Sequence, residues 1–105
     1  MYANYNNIIN QPVLYQNVPN PFSSSTKIFY YIPEASKIQL AVYDTSGKII
    51  VSLEDGIKEA GVFEKSVYNN TIHQSGIYYV KLNVLLLNTH TKYEKTIKIL
   101  YSAHQ

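Results

Sequence analysis

The chain has 105 residues, about 12 kDa, which is one domain's worth, and it holds no cysteine, so disulfide scaffolds, thiol nucleophiles and cysteine-based zinc sites are excluded. Nine lysines stand against seven acids for a net charge of +2, with no arginine, so the dense basic footprint of a nucleic-acid binder is missing. Charged residues make up only 15% of the chain while tyrosine occurs eleven times, a balance that favours strands over helices.

Residues 1–12 are polar and rich in asparagine, and read as a flexible linker or frayed terminus, with the folded domain at 13–105. They show neither the basic nor the apolar region of a signal peptide, so if the domain is exported its export signal is expected on sequence outside this chain. Val13-Leu14-Tyr15 is a short first strand. Pro19-Asn20-Pro21 then interrupts pairing, because proline cannot donate to a ladder. Residues 26–32 read as a strand with Ile28, Tyr30 and Ile32 on one face. Residues 37–43 alternate most cleanly, with Ile38, Leu40 and Val42 inward and Lys37, Gln39 and Ala41 outward. Asp44-Thr45-Ser46-Gly47 has the chemistry of a hairpin turn, and residues 48–53 follow as a strand with Ile49, Val51 and Leu53 on one face.

Asp55-Gly56 and Ala60-Gly61 punctuate a loop, and residues 62–68 form a strand with Phe63 and Val67 inward. A second loop is framed by Asn69-Asn70-Thr71 and Ser75-Gly76. Residues 77–86 are a long strand with Tyr78, Val80, Leu82, Val84 and Leu86 on one face. Asn88-Thr89-His90-Thr91 turns the chain, residues 92–100 form the last strand, and residues 101–105 form a tail. Strand-like runs every 8–15 residues, with turn residues between and no helical period, specify an all-β, Ig-like β-sandwich of about seven antiparallel strands. No apolar run approaches the ~20 residues of a membrane helix, so stable membrane insertion is not expected.

A catalytic centre is not legible. His73, His90 and His104 have no metal-ligand spacing and fall in loops and the tail. Ser25, His73 and Asp44 could be drawn as a triad, but no strained turn frames a serine. Glu54 and Asp55 are adjacent, so on a strand they point to opposite faces and read as a solvated strand end. The four glycines stand singly at turns rather than in a phosphate loop. Tyr31, Tyr43 and Tyr79 face outward, either as an aromatic strip for glycans or proteins or as ordinary cross-strand pairs.

The stretch Leu14-Tyr15-Gln16-Asn17-Val18-Pro19-Asn20-Pro21-Phe22, followed by Ser23-Ser24-Ser25-Thr26, resembles the opening signature of the C-terminal sorting domains of the type IX secretion system of Bacteroidetes-type bacteria. Leu40-Ala41-Val42-Tyr43-Asp44 with Gly47-Lys48-Ile49-Ile50 resembles the family's central hairpin. Ser75-Gly76-Ile77-Tyr78-Tyr79-Val80 and Lys95-Thr96-Ile97-Lys98-Ile99-Leu100 resemble its later strands. The resemblance implies a domain that is bound rather than one that catalyses, and it implies no cofactor. Its partners would be the outer-membrane secretion translocon, a sortase-like peptidase that removes it, and the upstream cargo. Its route would run through the periplasm to the cell surface or medium. The residues singled out for recognition or for shaping the motif are Pro19, Asn20, Pro21, Phe22, Gly47, Gly76, Tyr78, Lys95 and Lys98. The alternative is a surface adhesion, carbohydrate-binding or spacer module using the outward tyrosines.

Overall fold

A computed structural model describes residues 10–103. Most of the linker expected at 1–12 therefore lies outside the described residues, as does His104; of its last three residues, Asn10 and Gln11 are exposed and Pro12 is buried. Seven strands run in chain order: β1 (Val13–Leu14), β2 (Ser25–Ile32), β3 (Ser36–Tyr43), β4 (Ile49–Lys58), β5 (Gly61–Tyr68), β6 (Gly76–Leu86) and β7 (Lys92–Tyr101). A 3-10 turn, Asn69–Thr71, lies between β5 and β6. One sheet has the order β1-β2-β5 and the other β4-β3-β6-β7, all strand pairs being antiparallel. The all-β, Ig-like sandwich expected from the strand spacing is the fold observed. Among the described residues no helix is long and apolar enough to cross a membrane.

The core follows from alternation. Ile28, Tyr30 and Ile32 of β2 face Ile38, Leu40 and Val42 of β3 and the even-numbered residues Tyr78 to Leu86 of β6, all buried. Ile99 is fully buried, whereas Ile97 and Val51 are partly buried and packed against the cluster. Ile72, Phe22 and Tyr101 join this core from outside the expected strands.

Several local expectations are corrected. The strand at residue 48 does not stop at Leu53; β4 runs through Asp55 and Gly56 to Lys58, because residues 36–39 of β3 supply its ladder partners. Its strict alternation fails at two register shifts, between Leu40 and Ala41 and between Val42 and Tyr43. An extra residue at each bulge turns the following side chain over, so Ile49 is exposed and Ile50 packs inward. Ala41, expected outside, is buried, since its methyl group sits between the longer neighbours Ser52 and Lys81 on a central strand.

Glu54 is likewise not a solvated strand end. Its carboxylate lies 2.7 Å from Lys65 Nζ on β5 and 3.4 Å from Lys58 Nζ, tying the edges of the two sheets together. The hydrogen-bonded Lys65 ammonium holds the Glu54 carboxyl below its usual range, with Lys58 adding to it. Lys58 also caps the Phe63 ring at 5.2 Å. Phe63 stacks on Tyr30, whose hydroxyl is buried with no hydrogen-bond partner among the described residues. Burial, and secondarily the Glu54 charge, push the Tyr30 phenol up to about 12.

Candidate functional site

The segment from Tyr15 to Phe22 crosses from one sheet to the other, and each crossing step is fixed by an amide. Tyr15 N–H donates to Phe29 O, and Val18 exchanges two backbone bonds with Lys27, so the segment first follows β2. Gln16 Nε2 then reaches Lys98 O on β7 at 2.8 Å and Asn17 Oδ1 at 2.7 Å. The buried Asn17 donates through Nδ2 to Thr26 Oγ1 and to Pro19 O, while the Thr26 hydroxyl donates to the same Pro19 carbonyl at 2.8 Å. A buried amide must be satisfied in this way, since an unpaired one costs about 1–3 kcal/mol. The two prolines have no N–H and need no ladder partner, so the turn can leave both sheets without stranding a donor.

An asparagine between two prolines has the chemistry to close a local turn on its own backbone. Asn20 Oδ1 instead accepts from Leu100 N–H at 2.9 Å, eighty residues away, because β7 is an edge strand with a donor to spare there. Phe22 then makes a parallel bridge with Tyr101: Phe22 N–H donates to Leu100 O and Ser102 N–H to Phe22 O. The rings of Phe22 and Tyr101 meet at 5.2 Å, and both are buried, at 3% and 7% exposure. Tyr101, read as the start of a tail, is thus the last residue of β7 and part of the core. Pairing does not simply break at the proline motif, which hangs between a β2 bridge on one side and a β7 bridge on the other.

What the surface presents is correspondingly defined: Pro19, Asn20 and Pro21 are exposed, while Phe22 points inward and anchors them. Residues 17–99, well over half of the chain, match the family model of the secretion system C-terminal sorting domain. The chain belongs to that family. It is a type IX secretion sorting signal, and proteins that carry this domain are secreted to the cell surface or the extracellular space. The family is not a family of enzymes. No curated protein matches the chain.

The other expected site residues of the sorting domain fall into two groups. Gly76 opens β6 opposite Tyr101 with φ of 145°, a conformation a side chain would strain, and so lies beside the Phe22 anchor. Tyr78, two residues on, is buried and donates its hydroxyl to Gln74 O at 2.6 Å, pinning the loop before β6. Lys98 is exposed, and its carbonyl receives Gln16. Gly47 belongs to the β3–β4 hairpin, at φ of 89°, where Asp44 Oδ1 accepts from Ser46 N–H, Ser46 Oγ and Lys48 N–H. Those hydrogen bonds, the Ser46 hydroxyl first, hold the Asp44 carboxyl below its usual range and commit it to the turn.

Lys95 does not join Lys98. It is on the inward-facing side of β7 with its ammonium 5.6 Å from the Tyr93 ring centre, where an inward lysine guards an edge strand against further pairing. Sequence reasoning missed the roles of Gln16, Asn17 and Thr26, although the first two stand inside the signature. Their signal is chemical: side-chain amides beside donor-free prolines have backbone partners to supply. Among the described residues no group of three or more His, Asp or Glu could hold a metal ion.

Proposed function

We propose that the outer-membrane translocon of the type IX system reads this domain in its folded form, through the exposed Pro19-Asn20-Pro21 turn and the end of β7 that holds it. A sortase-like peptidase then separates the domain from its upstream cargo within residues 1–12, after passage through the periplasm. The domain acts as an address and as a peptidase substrate, and it has no catalytic role of its own. The observation that supports this reading is the anchoring of an exposed turn by one buried ring and five side-chain amide or hydroxyl bonds to β2, β7 and the turn itself. A surface feature held this rigidly is recognised without the cost of ordering it.

The adhesion reading loses its main support. The outward tyrosines are half-buried and do not form one strip: Tyr31 is on the three-stranded sheet, while Tyr43 and Tyr79 pair on the other.

Asn20→Ala is the test. It removes one solvent-accessible hydrogen bond, so stability should fall by no more than about 1 kcal/mol. Export of a reporter fused ahead of the whole chain should nevertheless drop several-fold in a bacterium with a type IX system. Glu64→Ala, which breaks only the exposed Lys27 pair, should leave export intact. Mass spectrometry of the released cargo should place its new end within residues 1–12. Equal export of the two variants would count against recognition at the proline turn.

A further inference from the structure

The outer face of the four-stranded sheet is unevenly composed. Its rows can be read from the strand register. Toward the β6–β7 turn the rows are mixed: Asp55, Gln39, Asn83 and Glu94 form one, and the exposed Ile57 with Lys37, Leu85 and Lys92 the next. At the opposite end Ile49, Tyr43, Tyr79 and Lys98 form a row across all four strands, with Ile77 and Leu100 beside it. Ile49 is 54% and Ile77 41% exposed, and Tyr43, Tyr79 and Leu100 are half-exposed. Four strands span about 15 Å, so this end is an apolar patch on the order of a few hundred Å². A patch of that size is about the largest that a typical monomer exposes, and such patches are often functional.

Its position ties it to the proline turn. Leu100, at one corner of the patch, donates its N–H to Asn20 and accepts from Phe22. The surface therefore runs without a break from Pro19-Asn20-Pro21, over the end of β7, to Ile77, Tyr79, Tyr43 and Ile49. The charge within the patch itself is positive. Lys98 lies in the patch and makes no ion pair among the described residues, and Lys48 is exposed in the adjoining hairpin. The nearby Asp44 carboxylate keeps its charge beside Lys48, with its Oδ1 accepting three hydrogen bonds within its own turn.

We propose that this face is a docking surface for a folded protein of the secretion machinery that presents an apolar centre rimmed by carboxylates, and that it forms one continuous interface with the proline turn. The inference rests on the sorting reading and extends it to a second surface. A glycan is the poorer occupant. The flanks are aliphatic rather than hydrogen-bonding, and the Lys81 ammonium lies 4.9 Å from the Tyr43 ring centre, over a face on which a sugar would stack.

The experiment fuses a signal peptide and reporter ahead of the whole chain and compares export in a type IX bacterium. Ile77→Asp combined with Tyr79→Asp should lower export about tenfold or more, as loss of central interface contacts does. Val62→Asp, at a still more exposed apolar residue on the other sheet, should export normally. Thermal melting of each purified chain reports folding. If the double variant melts early, Lys98→Glu decides instead, because an exposed side chain can be reversed without disturbing the core, and it should lower export about fivefold. Normal export of the patch variants while the intact chain is exported overturns the docking surface alone. Failure of the intact chain to be exported, where another sorting domain carries the same reporter, overturns the sorting reading and this inference with it. Patch variants that export normally but no longer bind surface polysaccharide assign the face to glycans and also overturn the proposal.

Discussion

Deleting residues 95–105 is expected to abolish cooperative folding, not merely to shorten the chain. The deletion takes residues 95–101 from β7, and with them the backbone partners of β6 from Gly76 to Leu82. It removes Ile97, Ile99 and Tyr101 from the core, each worth about 1.5–3 kcal/mol on burial. It also removes the carbonyls that accept from Gln16 and Phe22 and the Leu100 N–H that donates to Asn20, so the proline turn loses its hold on the second sheet. Against a total stability of about 5–15 kcal/mol for a domain, these losses exceed what remains. Far-UV circular dichroism should lose the β-sheet signal and thermal melting should lose its sigmoid. A truncated chain that melts cooperatively near the temperature of the intact one would show that β7 is dispensable to the fold.

The second large effect belongs to Phe22. Phe22→Ala should destabilise the domain by about 3–5 kcal/mol, the cost of emptying a buried aromatic site. The lower part of that range is expected, because Phe22 plugs the end of the sandwich, where neighbouring loops can partly collapse into the space. Phe22→Leu should recover much of the loss, since most of the volume returns while the Tyr101 ring contact does not. Urea unfolding of the three chains measures this directly. A loss below about 0.5 kcal/mol for Phe22→Ala would mean the ring is not part of the core.

The two residues also show what could be read in advance. The long central strands were legible because they are regular: Ile38, Leu40 and Val42, and Tyr78 to Leu86, alternate without interruption and are buried as alternation requires. β4 was less so. Its two bulges change which residues face inward, and a bulge leaves no mark on residue type, so Ile49 and Ile50 exchange roles invisibly. The end of β4 was hidden by Asp55-Gly56, a turn signal overridden by a full set of ladder partners on β3. Tyr101 looked like a tail residue because its partners, Phe22 and Gly76, are far away in sequence. The proline signature could be recognised as a pattern, but not its physical role. Only the fold shows that Asn20 serves Leu100 and that Gln16 serves Lys98, since nothing local pairs positions so distant in the chain. The docking face was hidden for the same reason: Ile49, Tyr43, Tyr79 and Lys98 form a row only after three strand registers are set.

The central claim is that this domain carries the instruction for export. It is tested most directly by placing the whole chain behind a signal peptide and a fluorescent reporter in a bacterium with a type IX system, beside a reporter that lacks the domain and one that carries another sorting domain. The reporter fused to this chain should appear at the cell surface or in the medium, as with the other sorting domain, while the domainless reporter stays in the periplasm. Retention of the fusion in the periplasm alongside the domainless control, with the other sorting domain still exporting its reporter, would contradict the account.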